Sequence, residues 1–219
     1  YAQRIKDAGV DEVFLQFDGF DEDAHKILRG RPMVKTRMKA LTNLRDLDIA
    51  TSLIVVIAKN LNEPQVGEVL KFALQPANVN IREVFFLGLR LLGSARDAVA
   101  RGGVEMDDAA LMPDEVLDLM CDQVPRIKRA DVRSFNKLYF AMLSAFKVKK
   151  CLYVQHYMLV RTDEGFNTIA EVLDMQALDR AADRYAEEFL AHPNRARARL
   201  LAALARQALR PQAMRALVD

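Results

Sequence analysis

Residues 49–58, Ile-Ala-Thr-Ser-Leu-Ile-Val-Val-Ile-Ala, constrain this chain more than any other segment. The run is apolar and β-branched throughout, the mark of a strand covered on both faces, as in the parallel sheets of α/β proteins. Its surroundings alternate between strand and helix periods, as a parallel α/β fold requires. Residues 12–17 form an apolar strand, and residues 82–88 a third. Between them, Met33, Arg37, Ala40, Leu41, Leu44 and Leu47 recur near helical spacing over 33–47. Val66, Val69, Leu70, Ala73 and Leu74 form a stripe over 63–75, with Pro64 suited to the first turn. Short polar connections fit right-handed βαβ crossovers.

After Leu89 this rhythm stops. Residues 91–112, with Gly93, Ser94, Gly102 and Gly103, read as a loop or weak helix crossing the site. Helices are expected over 113–121, 131–146, 176–191 and 196–209, the last two separated by His192-Pro193. Residues 151–160 (CLYVQHYMLV) fit a strand by aromatic and β-branched content, with a buried helix as the alternative. Asp163-Glu164-Gly165 followed by 166–169 supports a loose hairpin.

Composition narrows the setting. No run approaches about 18 uninterrupted apolar residues, so no membrane span is expected. The two cysteines, Cys121 and Cys151, exclude a disulfide framework and favour a reducing cytoplasm. They cannot complete a four-ligand zinc or iron–sulfur site, so no metal ligands are expected within this chain. The net charge of +2 is unevenly spread: Arg126, Lys128, Arg129, Arg133, Lys137, Lys147, Lys149 and Lys150 face Asp131 alone, and six arginines follow Asn194. Such stretches are solvated faces or hold anionic partners.

The first strand ends in Gln16-Phe17-Asp18-Gly19-Phe20, and residues 21–29 then read as a helix closed by Gly30. Side chains at the carboxyl ends of parallel barrel strands face the active site, so Gln16 and Asp18 are candidate ligand contacts. Other readings stand beside this one. Asp18-Gly19 is also a turn dipeptide, Arg29 can pair with Asp21 or Glu22 on the surface, and Asn62 can cap the helix at Pro64. His25 reads as solvated on an exposed helix face. His156, among Tyr153, Val154 and Tyr157, reads as a satisfied core or interface residue, and Cys151 with His156 lacks the third group that a nucleophile–base pair needs.

The order of Gln16-Phe17-Asp18-Gly19, His25, Arg29-Gly30, the 54–59 strand end and Asn62 resembles the second half of a radical S-adenosylmethionine (SAM) domain. The Gln-Phe-Asp-Gly form is most similar to the subgroup with tetraether-lipid synthases and pterin-modifying methylases. The resemblance covers residues 1–95. It implies an α/β fold class: half of a partial (β/α)6 TIM barrel with about three parallel strands, then a mainly helical, substrate-covering region over 96–219. Three such strands cannot close a barrel, and the apolar outer edge of the first strand is of a kind natural domains avoid. With the start at Tyr1, this predicts an amino-terminal part of the domain outside this sequence.

The resemblance further implies an enzyme that uses a [4Fe–4S] cluster and SAM to generate a 5′-deoxyadenosyl radical. Its substrate would be an unknown small molecule or lipid, anionic in one version, and an external reductant would act as partner. The Cys-x3-Cys-x2-Cys cluster loop does not occur here, so its ligands are expected upstream of Tyr1 and the chain alone is expected to be inactive. Within the implied SAM pocket, Gln16, standing where many members carry Ser, reaches the ribose hydroxyls. Asp18 bonds to SAM or orders the loop. Arg29 pairs with the methionine carboxylate, Asn62 ties down the loop, and backbone near Leu87 and Gly88 meets the adenine. No catalytic residue is implied.

Two other functions remain open. A phosphate-handling TIM-barrel lyase or isomerase would need a backbone cradle, for which Leu92-Gly93-Ser94 is the candidate. A non-catalytic module would use its basic helices on an acidic partner; nucleic acid is not favoured, since no recognised motif for it is present.

Overall fold

The computed structural model describes residues 1–90, 109–149 and 154–218. These fall into two compact units, residues 1–125 and 126–219.

The first unit is built on three parallel strands: β1 (Glu12–Gln16), β2 (Ala50–Ile57) and β3 (Ile81–Gly88), in the order β1-β2-β3. Helices α1 (Ala2–Asp7), α2 (Glu22–Arg29), α3 (Val34–Asp46) and α4 (Gln65–Ala73) lie between or before them, and α5 (Pro113–Gln123) follows. The central strand is the apolar run. Leu53, Val55 and Ile57 alternate onto one face and are fully buried, in one core with Leu15, Phe17, Leu41, Leu44, Val66 and Val69. Each large apolar side chain so enclosed contributes on the order of 2 kcal/mol. Phe17 anchors this layer, edge-on to Phe20 at 5.1 Å and stacked on Phe72 at 6.1 Å. The opposite face, carrying Phe14, Ile54, Val56, Phe85 and Leu87, is at most partly covered by the described residues: Phe14 is 60% and Leu87 45% exposed. The sheet therefore has one dry face and one open face, with its polar strand ends beside the open one. α5 packs against α4: the Gln123 side chain accepts from the Gly67 amide at 2.7 Å and donates to the Glu63 carbonyl at 2.9 Å.

The second unit is helical apart from a hairpin of β4 (Leu159–Thr162) and β5 (Gly165–Thr168). Its helices are α6 (Arg129–Ala145), the single turn α7 (Ile169–Val172), α8 (Met175–Phe189), α9 (Pro193–Ala208) and α10 (Pro211–Val218). Leu138, Ala141, Ile169, Met175, Leu178, Tyr185 and Leu200 form its core. Pro193 occupies the first turn of α9, where its missing amide costs nothing.

Several expectations change. In the described part of the proposed strand over 151–160, the strand begins at Leu159 and residues 154–158 have no regular structure, while residues 151–153 lie outside the described residues. The physical reason is Asn136. Its side-chain amide accepts from the His156 N–H at 2.7 Å and donates to the His156 carbonyl at 2.8 Å, taking the place of a neighbouring strand. The hairpin itself forms, and α10 is an added helix. The compact units divide after Pro125, whereas the expected boundary after residue 95, the glycine-rich segment, Leu92-Gly93-Ser94 and Cys151 all fall outside the described residues.

Candidate functional site at the carboxyl ends of the strands

The carboxyl end of β1 is organised by one buried carboxylate. Asp18 is 1% exposed, and its Oδ1 accepts from Gln16 Nε2 at 2.9 Å, Arg29 Nη2 at 2.9 Å and the Val56 amide at 2.9 Å. Its Oδ2 accepts from Arg29 Nε at 2.7 Å. Four donors meet two oxygens, so the carboxylate is satisfied inside the protein, as a buried charge must be. Arg29 binds it with two parallel N–H groups, the strong bidentate form. The turn-dipeptide reading of Asp18-Gly19 accounts only for Gly19, whose φ of +114° suits a residue without a side chain.

Arg29 reaches Asp18 because α2 starts and stops where it does. Asp21 caps its first turn, accepting from the Asp23 and Ala24 amides, and Gly30 closes it in the left-handed conformation. The surface partners considered for Arg29 are thus otherwise engaged: Asp21 is the cap, and Glu22 accepts from the Met33 and Val34 amides. Arg29 keeps Nη1 free of any described partner, with its side chain 30% exposed.

Asn62 is not the cap of α4. It is 1% exposed, its Oδ1 accepts from the Ala58 amide at 2.8 Å, and its Nδ2 donates to the carbonyls of Val56 at 2.8 Å and Asp18 at 3.1 Å. One side chain therefore joins the ends of β1 and β2 to the turn that follows. Gln16 also donates to the Ile54 carbonyl at 3.4 Å, and its Oε1 has no described partner. Gln16, Asp18, Arg29 and Asn62 are thus brought into one connected network. On β3, Leu87 lies on the open face. The missing side chain of Gly88 is instead used by the Leu111 backbone, which approaches where a Cβ would stand.

His25 corrects the expectation of a solvated side chain. It is 1% exposed, and its Nε2 lies 3.0 Å from the Gly19 carbonyl, because the turn at Gly19 folds back over the start of α2. Facing a carbonyl oxygen, Nε2 is the donor of this bond. Gln65 is a residue that sequence reasoning missed: its Oε1 accepts from the Phe20 amide at 2.6 Å and its Nε2 donates to Glu68 at 2.7 Å. Both hold the loop after β1 from positions whose partners are set by the fold. His156 is half-buried, its ring 4.4 Å from that of Tyr139, in keeping with a packed residue.

Among the described residues, no group of three or more His, Cys, Asp or Glu is placed to hold a metal, and no helix is long and apolar enough to cross a membrane. Residues 1–73 match the radical SAM superfamily. A 7,8-dihydro-6-hydroxymethylpterin dimethyltransferase from Methanocaldococcus jannaschii is 26% identical over 93 residues, which is 40% of this chain and 18% of that protein. The chain thus spans about a fifth of the length of that relative.

Proposed function

We propose, from the premise that residues 1–73 belong to the radical SAM superfamily, that this chain supplies the SAM-facing strand ends of a radical SAM enzyme. The observation that carries the proposal is the Asp18 hub: a fully satisfied buried carboxylate that aims a glutamine and an arginine past the end of a parallel strand.

The residues fit SAM in a specific way. Asp18 has spent its oxygens on protein donors, so it is a positioning residue and not a cofactor ligand. Gln16 offers the unused Oε1 to a ribose hydroxyl. Arg29, committed to Asp18 along one edge, offers Nη1 to the methionine carboxylate as a single contact. Asn62 holds the two strand ends in register, and Leu87 presents an apolar surface on the open face for the adenine. When bound, SAM supplies the adenosyl group that such enzymes use for hydrogen abstraction. The chain's own task is to bind it and orient it at the strand ends beside the open face of the sheet.

The residues present do not fit a [4Fe–4S] cluster. The sequence has two cysteines, Cys121 and Cys151, and no Cys-x3-Cys-x2-Cys. The cluster and its reductant belong, in this reading, to the remainder of the enzyme, and the reaction runs in a reducing cytoplasm on a small-molecule or lipid substrate. Methyl transfer is a second reading, favoured by the name of the Methanocaldococcus relative alone.

The test is anaerobic expression of the complete gene product with reconstituted iron, followed by assays of SAM binding and 5′-deoxyadenosine release. Arg29→Ala and Gln16→Ala should each weaken SAM binding by about tenfold, the value of one charge-assisted or well-placed hydrogen bond. The 219-residue chain alone should release no 5′-deoxyadenosine. Unchanged SAM affinity in both variants would remove the pocket from this strand end.

A further inference from the structure

The second unit contains a groove between α8 and α9 that the proposed SAM site does not use. Its volume is about 440 Å³, within the range of small-molecule sites. Ala177, Ala181 and Ala203 leave the hollow open where longer side chains would fill it, and four arginines line it: Arg180 and Arg184 from α8, Arg199 and Arg206 from α9. Arg180 and Arg184 are one turn apart on the same helix face, a like-charge pair that destabilises a helix unless something neutralises it. Arg199 and Arg206 lie two turns apart, so the basic lining of α9 runs for roughly 10 Å along the groove.

Among the described residues, Arg180, Arg184 and Arg206 form no ion pair, although Glu188 stands one turn beyond Arg184 on the same helix. Glu188 is the one acid lining the groove; it binds Arg199, and its Oε2 has no hydrogen-bond partner. Of the other acids of α8, Asp179 and Asp183 are paired with Lys137, and Glu187 is exposed and does not line the groove. A merely solvated basic face needs no cavity, and a merely structural helix pair gains nothing from alanines beside four guanidiniums. Cavity and uncompensated charge coincide here.

We propose that this groove binds a phosphate-bearing ligand, its oxygens held by the guanidinium forks of Arg180, Arg184 and Arg206 and its organic portion seated on the alanines. Planar guanidinium groups match phosphate oxygens in pairs, and several of them favour a group of more than one negative charge over a single carboxylate. The Glu188 Oε2 would accept from a hydroxyl or amine of the same ligand. The phosphate is either that of a free compound or that of a lipid headgroup. This inference is independent of the SAM pocket.

The experiment uses the full chain, with inorganic pyrophosphate titrated calorimetrically and co-sedimentation with vesicles of phosphatidylcholine, with and without phosphatidic acid. The unaltered chain should bind one or both phosphate probes saturably. Arg180→Gln/Arg184→Gln should weaken that binding at least tenfold, while Arg133→Gln/Arg195→Gln, which removes the same charge away from the groove, should not. Ala203→Phe keeps every charge and fills the hollow, and should also abolish binding; should it fail to fold by circular dichroism, the paired arginine variants decide alone. Binding of pyrophosphate assigns a free phosphate compound, and binding of acidic vesicles alone assigns a headgroup. Binding of neither probe, equal loss in both double variants, undiminished binding by a folded Ala203→Phe, or binding only of a single-stranded oligonucleotide would overturn the proposal.

Discussion

The two units differ in where the ionic groups with the most partners sit. In residues 1–125 the decisive groups are buried and each serves several partners: Asp18 meets three residues, and Asn62 joins three backbone segments. In residues 126–219 the charged pairs are exposed and nearly independent. Arg126 and Glu171 are 3.0 Å apart with side chains 47% and 44% exposed, and Lys137 meets Asp179 and Asp183 at the surface. The contrast teaches where a single substitution will matter. Removing a buried hub strands its partners without water, whereas removing one surface charge lets the other be solvated.

The strongest challenge to this contrast is Asp18→Ala. It leaves Arg29, Gln16 and the Val56 amide without their acceptor, and should cost about 3 kcal/mol, the lower end for breaking a buried ion pair because Arg29 is partly exposed. Urea unfolding followed by a probe in the first unit measures this. A loss below about 1 kcal/mol would mean the hub resembles the surface pairs after all. Asn62→Ala should follow at about 2 kcal/mol, with amide exchange accelerated at Ala58 in particular. Gly88→Ala comes next, near 1–2 kcal/mol, since a methyl group there forces the Leu111 backbone away.

The smallest effect is expected from Glu171→Gln in the second unit, below about 1 kcal/mol near neutral pH. Burial raises the Glu171 pKa, but the Thr168 amide and hydroxyl and the Arg126 guanidinium outweigh it and hold the carboxyl below its ordinary 4.5. A group whose pKa is lowered by folding stabilises the fold above its unfolded pKa and loses that contribution as pH falls through the folded value. The unaltered protein should therefore lose stability below about pH 4.5 more steeply than Glu171→Gln, as thermal melts across pH 3–6 would show.

What the sequence made legible was local. The continuous run at residues 49–58, the stripes of α3 and α4, and the Gln-x-Asp-Gly strand end announce themselves within a few residues, because side-chain period and turn chemistry are short-range properties. The same holds for the hairpin around Gly165. What was not legible depends on chain reversal. His25 sits beside charged Asp23 and Lys26 and reads as a surface residue; only the backward fold at Gly19 buries it. The Arg29 partner was misplaced by a few residues for a related reason, since the capping role of Asp21 removes it from competition. Gln65 satisfies an amide 45 residues earlier, and no pattern in the chain signals that. At residues 154–158 the composition favoured a strand, but a strand needs a partner, and Asn136 supplied the bonds from a helix instead.

The three bonds of Asn62 carry a mechanical consequence. Because one amide is fastened to the Val56 carbonyl and the Ala58 amide on one strand end and to the Asp18 carbonyl on the other, the rims of two adjacent strands cannot drift apart without breaking the bond to Asp18. A guest arriving at those rims meets a seat already assembled and does not have to spend its own contact energy on building one. In the proposed site, tightness of grip would accordingly be governed by a residue that need never touch the guest.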